Sequence, residues 1–273
     1  MTLEELIGKT EKRFKAARLH YGHGTDNAHD EAAFLVLRAL RLPFSSPLTT
    51  DVSVRSAARI DSLVEKRIGE RIPVAYLLRE AWLDGQRFYV DERVIVPRSH
   101  IAFMLKGLPT PKAVLDLCTG SGCLAVLAAR AYPRARITAS DISRDALAVA
   151  RRNVAGRRRI RLVQSDLFDR IRGRFDLILT NPPYVDSPAM RKLPAEYRHE
   201  PGLALAAGRD GLEIVSRILS QAAEHLNPGG LLVCEVGESR RALEKAYPAM
   251  RFTWPAESVF RLERSGLPAR SGK

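Results

Sequence analysis

Cysteine is scarce in this 273-residue chain: Cys118, Cys123 and Cys234 are an odd number, and no two have C-x-x-C spacing. That argues against a disulfide framework or a cysteine zinc site and makes a reducing cytoplasm the expected setting. The six histidines are scattered without an H-x-x-x-H pair, and their densest patch, H20-Y-G-H-G, reads as loop chemistry, so no metal is expected. No apolar stretch approaches the roughly 18 residues of a membrane span. The opening M1-T-L-E-E-L-I-G-K-T lacks a basic region followed by an apolar block, so no signal peptide is expected. Acidic residues are also in deficit: Lys+Arg minus Asp+Glu is 44 − 31 = +13. Such an excess suits a polyanionic neighbour, RNA or a ribonucleoprotein, although a solvated basic surface gives the same sum. The basic residues are spread out apart from R151-R and R157-R-R-I-R. Charge sets a partner class and not an activity.

What is present is an ordinary globular composition, 45% hydrophobic and 27% charged, with enough chain for a sizeable core. Residues 1–80 read as a small helical domain. Apolar residues at 3, 6, 7 and 14, the run D30-E-A-A-F-L-V-L-R-A-L, and apolar positions 54, 57, 60, 63, 64 and 68 each follow a helical period. Residues 81–98 change character, with a D84-G turn between short strand-like runs, and read as a β-hairpin connector. From there to 273 strands alternate with helices. A113-V-L-D-L, R136-I-T-A-S-D, I160-R-L-V-Q-S-D, F175-D-L-I-L-T and L231-L-V-C-E-V read as strands, with helices over G122 to A131, D145 to N153 and L212 to L226. That order predicts an α/β fold with a doubly wound, mostly parallel sheet.

Ligands of such sheets bind beyond the carboxyl ends of the strands. The first strand ends in D116-L-C-T-G-S-G and runs straight into a helix. Gly120 and Gly122 permit a tight turn and close approach of a ligand, and the helix N-terminus favours its anionic atoms. The loop is not a P-loop, since no G-K-[ST] follows, and it departs from G-x-G-x-x-G at Ala125. The second strand ends at Asp141, 19 residues after Gly122, where a carboxylate can accept from ribose hydroxyls. The third ends in S165-D-L, placing Asp166 where an adenine amino group can be read. Either acid alone could be a helix cap; a glycine loop with two strand-end acids points to an adenosine site. The fourth strand ends in N181-P-P-Y. The prolines stop the strand, but a turn does not require the asparagine before them or the aromatic ring after them.

D116-L-C-T-G-S-G, Asp141, S165-D-L and N181-P-P-Y resemble the S-adenosylmethionine-dependent methyltransferases that modify planar amino groups. The helical front end, V96-P-R-S and E200-P-G-L-A-L-A-A-G-R-D-G-L narrow the resemblance to the protein-glutamine N5-methyltransferases. Y21-G-H-G-T-D-N, R71-I-P-V-A-Y-L, F88-Y-V-D-E-R-V-I-V-P-R-S and P194-A-E-Y-R-H-E-P are similar to the branch that acts on the third protein of the large ribosomal subunit. The branch that acts on release factors more often has a third glycine where this chain has Cys118, and P-R-P in place of P-R-S. The similarity covers about residues 20 to 265.

The resemblance implies a Rossmann-like, seven-stranded class I methyltransferase with S-adenosyl-L-methionine as cofactor. It assigns Asn181, Pro182, Pro183 and Tyr184 to catalysis. Asp116, Thr119, Gly120, Ser121, Gly122, Asp141, Asp166, Leu167 and Arg98 fall to cofactor binding, and residues 1–80 to substrate recognition. Arg98 also suits an interdomain salt bridge, and Glu200 and Asp210 read as structural. The implied partner is a large-subunit ribosomal protein, met in an assembly intermediate with ribosomal RNA nearby. Three other readings stay open at this point: glutamine methylation of release factors, amino-group methylation of adenine or guanine in RNA or DNA, and a non-catalytic assembly factor that keeps the fold.

Overall fold

The computed structural model describes residues 1–268. Its first part is helical for local reasons that the sequence carries. Thr2 and Glu5 form a reciprocal capping box that opens α1 (Leu3–Ala16). Asn27 and Ser53 cap α2 (Ala28–Ala39) and α3 (Val54–Gly69) through their side-chain oxygens. The apolar stripes meet in one core containing Leu6, Phe14, Leu35, Val36, Ile60 and Val64, each at most 1% exposed. A short α4 (Val74–Leu78), absent from the sequence reading, follows Pro73.

The hairpin expected over residues 81–98 occupies only its first half: β1 (Ala81–Leu83) pairs antiparallel with β2 (Gln86–Phe88) across Asp84-Gly85. Both turn residues have positive φ, 47° and 69°, which matches the twist of a two-residue hairpin. Residues 91–98 run on without strand pairing.

The sheet contains β3 (Ala113–Leu117), β4 (Arg136–Asp141), β5 (Ile160–Gln164), β6 (Phe175–Thr180), β7 (Leu226–Glu235), β8 (Thr253–Ala256) and β9 (Val259–Glu263). These seven strands lie in the order β5-β4-β3-β6-β7-β9-β8. The first five are mutually parallel, whereas β9 runs antiparallel to β7 and β8 antiparallel to β9. The sheet is therefore the Rossmann-like, mostly parallel one expected. Its last hairpin was not read in advance, because Pro255 breaks the strand pattern and is tolerated only at an edge such as β8. β7 starts five residues earlier than the sequence suggested, since Leu226 already pairs with Phe175 before a register shift through N-P-G-G.

Helices cover both faces. α5 (Cys123–Ala131) and α6 (Arg144–Asn153) pack with Val114, Leu177 and Leu179. α8 (Glu213–Gln221) and α9 (Arg240–Ala246) pack with Leu115, Leu117 and Ile178; the short α7 (Ser187–Met190) lies between β6 and α8 in the chain. Alternation along β3 is decisive for one site residue. With Leu115 and Leu117 on the α8 face, Asp116 must share the α5 face with Val114.

Candidate active site

A cleft of about 260 Å³ opens at the carboxyl ends of β3, β4, β5 and β6, the place such sheets keep for ligands. Of the residues expected to bind the cofactor, Thr119, Gly120, Ser121, Asp141, Asp166, Leu167 and Arg98 line it, together with Asn181 and Pro183. Asp116, Gly122, Pro182 and Tyr184 are not among its lining residues.

Asp116 instead holds the loop from below. Its Oδ2 accepts from Thr119 Oγ1 at 2.5 Å and from the Ala125 backbone N–H at 2.9 Å, while Oδ1 is buried without a partner among the described residues. Burial pushes its carboxyl up to about 7, against the pull of those two donors. The loop above passes through positive φ at Cys118 (59°), Gly120 (53°) and Gly122 (81°). Left-handed geometry at Cys118 explains why glycine suits that position, and the cysteine holds it at some strain. A Cβ on Gly122 would meet Ala150 Cβ at 3.3 Å, so glycine lets the loop lie against α6.

Asp141 closes the second strand and accepts from the Gly120 N–H through Oδ2 and from the Ser143 N–H through Oδ1, both at 2.9 Å. Asp141 lines the cleft, and a carboxylate has acceptor capacity beyond these two bonds, which suits ribose hydroxyls. Burial raises its carboxyl above the usual range. Asp166 is bound through Oδ2 by Arg217 Nη2 at 2.9 Å. Its Oδ1 has no hydrogen-bond partner among the described residues, which leaves an acceptor for an amino group. Sequence reasoning missed Arg217, a basic position on α8 that only the tertiary fold brings to the cleft.

Asn181 follows directly on β6 at the cleft, and its Oδ1 is buried with no hydrogen-bond partner among the described residues. A buried amide oxygen left unpaired costs roughly 1–3 kcal/mol, so the position favours a ligand that donates to it. Pro182 is buried behind it. The Tyr184 hydroxyl is pushed up to about 12, chiefly by burial and then by nearby Glu235. The Tyr184 carbonyl accepts from Ser239 Oγ at 3.2 Å.

Two acids hold the rim. Glu200 forks Arg98, with Oε1–Nη1 at 2.8 Å and Oε2–Nη2 at 2.5 Å, and also accepts from the Val96 N–H at 3.0 Å. Glu235 accepts from Ser99 Oγ at 2.6 Å and the His100 N–H at 3.1 Å. Arg98 lines the cleft and at the same time forms a buried ion pair with Glu200. Four residues upstream of Glu200, Glu196 accepts from Arg67 Nη1 at 3.1 Å and from the His20 N–H at 3.0 Å. Arg67 is itself 1% exposed and bonded to Glu31. Segment 194–200 therefore ties the helical front to the mouth of the cleft.

Residues 100–195 match the family model of the methyltransferase small domain. Over nearly its whole length the chain is similar to proteins named ribosomal protein uL3 glutamine methyltransferase. Identity is 46% to that of Neisseria meningitidis serogroup B, across 97% of this chain and 94% of that protein. It is 46% to that of Burkholderia pseudomallei, across 99% and 97%, and 47% to that of Bordetella pertussis, across 93% and 90%.

Proposed function

The chain belongs to the ribosomal protein uL3 glutamine methyltransferases, and from that premise we propose that it methylates the side-chain amide nitrogen (N5) of a glutamine in uL3, with Asn181 and Pro182 orienting the amide. It is an S-adenosylmethionine-dependent enzyme; the cofactor supplies a methyl group already activated on a sulfonium. What the protein must supply is orientation, because a carboxamide nitrogen is a poor nucleophile with its lone pair delocalised into the carbonyl.

The observation that carries the proposal is the unpaired, buried Oδ1 of Asn181 beside the cleft. Accepting one amide N–H there and the other at the Pro182 carbonyl leaves the nitrogen lone pair directed at the methyl. Positioning of this kind is worth up to ~7–11 kcal/mol in favourable systems. Proline adds no competing N–H at this turn, and in this reading the Tyr184 ring packs on the amide and excludes water. No general base of special pKa is needed, since the proton can leave after transfer.

For the cofactor, Asp141 suits the ribose and Asp166 Oδ1 the adenine amino group, with Leu167 beside the ring. Thr119, Gly120, Ser121 and Gly122 form the loop at its amino-acid end, Asp116 sets that loop, and Arg98 lies at the rim. Residues 1–80 serve as the substrate-recognition domain, with 81–98 the connector and 99–273 the catalytic domain. The Glu196–Arg67 tie supports that division of labour, since it couples the helical front to the rim. The three free thiols favour a cytoplasmic setting. No helix among the described residues is long and apolar enough to cross a membrane.

Transfer of labelled methyl from S-adenosylmethionine to uL3, a release factor and naked ribosomal RNA tests the proposal, with peptide mass spectrometry of the product. Label on a glutamine of uL3 is expected, falling roughly 100-fold in kcat for Asn181→Ala while cofactor affinity holds. Label on the release factor or on RNA alone would overturn the substrate assignment. An undiminished Asn181→Ala would overturn the orienting role.

A further inference from the structure

The sheet end opposite the cleft carries a concentration of charge that the methyl-transfer site does not use. Arg134 and Arg136 precede and open β4, Arg151 stands in the last turn of α6, Arg158 and Arg159 lead into β5 and Arg161 lies within it; all are exposed. The fold gathers them. The Arg159 guanidinium donates to the Pro133 carbonyl, and the Arg159 carbonyl accepts from the Ile137 N–H at 2.9 Å. Register pairs Arg161 with Thr138, two residues from Arg136. None of the six has an ion-pair partner among the described residues. The neighbouring acids in sequence, Asp141 and Asp145, stand at the far end of β4 and in the first turn of α6, away from this corner.

Ordinary structural duties account for part of this. A basic residue in the last turn of α6 complements the helix dipole, and a charge on edge strand β5 discourages strand addition. Those duties employ Arg151 and Arg161. The Pro133 carbonyl occupies one donor of Arg159, but none of this gives a reason for Arg134, Arg136 and Arg158 to crowd the same corner without an ion-pair partner among the described residues in a chain of net charge +13.

We infer that this corner docks the phosphate backbone of RNA. Guanidinium forks match phosphate oxygens in pairs. No large exposed hydrophobic residue lies between 104 and 141 or between 143 and 202, and Ile142 stands at the cleft end of β4, so the corner has no apolar centre for a protein partner and no wedge for a membrane. The six residues of β4 separate it from the cleft by roughly 20 Å. RNA held here stays out of the catalytic cleft and acts as a tether. The inference rests on the proposed uL3 reading only in making ribosomal RNA the RNA to use.

The test is binding of a labelled ribosomal RNA duplex to the full chain. The comparison is a variant with Arg134→Glu, Arg158→Glu, Arg159→Glu and Arg161→Glu, and a control with four exposed basic residues changed elsewhere on the catalytic domain, Arg170→Glu, Arg172→Glu, Lys245→Glu and Arg251→Glu. Wild-type affinity should fall roughly 100-fold between about 50 and 200 mM salt, as four phosphate contacts require. The corner variant should bind at least about tenfold more weakly at the lower salt with a flatter slope, and the control should keep most of the binding. Methyl transfer to free uL3, or the circular dichroism melt should that activity be absent, shows that the variants are folded. If the reversals unfold the chain, Arg→Gln at the same four positions replaces them, with the same ranking expected. Equal binding by wild type and corner variant, or equal loss in the control, would overturn the inference.

Discussion

Gly237, in the turn after β7, faces the ring of Tyr184 so closely that a Cβ on it would lie 2.4 Å from Cε2 and 2.7 Å from Cδ2. Its φ of 51° adds a conformational demand to the steric one. The ring that follows the two prolines is thus seated by the absence of a side chain 53 residues later, on a neighbouring parallel strand's exit.

Substituting Gly237 should therefore act through Tyr184. Gly237→Ala is expected to lower kcat by about 10²-fold, the scale of a 1 Å misplacement, with cofactor affinity little changed. Tyr184→Leu should lose a similar amount, and the double variant no more than either single change, because both remove the same placement. Losses that add would show that Gly237 matters only for general stability.

This contact also marks the boundary of what the sequence could disclose. The strand ends were legible because the apolar runs, the glycines and the terminal polar residues are local signals. N181-P-P-Y, Asp141 and Asp166 could be placed at one end of a sheet without coordinates. The side of β3 on which Asp116 falls, by contrast, depends on which helix covers which face. Asp116 accordingly stands beneath the loop and not in the cleft. Arg217, Glu235 and Gly237 carry no motif, and they reach the site only through crossovers that no local pattern encodes. The edge hairpin β8–β9 was hidden by Pro255, and the Arg67–Glu196 tie spans 129 residues.

The buried Asp116 carboxyl makes stability depend on pH in a definite direction. In the folded chain it keeps its proton up to about pH 7, against a usual 3.8. Between those values the unfolded chain has released a proton that the folded chain still holds, so stability falls as pH rises through that window and levels off above it. Asp116→Asn cannot titrate, and its carbonyl can still accept from Thr119 and Ala125. Denaturant titrations from pH 4 to pH 8 should show wild type losing stability relative to this variant, by at most on the order of 4 kcal/mol. Parallel curves would mean that the carboxyl ionises normally in the fold. Cofactor affinity should remain within a few-fold, because the group faces the loop and not the cleft.

The two duties of Arg98 can be separated. Its ion pair with Glu200 is well buried, with side-chain exposures of 20% and 0%, and removing one partner of such a pair costs about 3–5 kcal/mol because the other is left uncompensated. Glu200→Leu alone should therefore destabilise strongly, and Arg98→Met alone should do the same. Replacing both with apolar groups of similar volume removes the stranded charge and should recover most of that stability. If Arg98 also serves the cofactor, the double variant melts near wild type yet binds S-adenosylmethionine weakly. If its only duty is to hold segment 194–200 against the rim, cofactor affinity returns along with stability. Calorimetric melting and cofactor titration on the same four proteins distinguish the outcomes, and the cleft-lining position of Arg98 leads us to expect stability to recover without affinity.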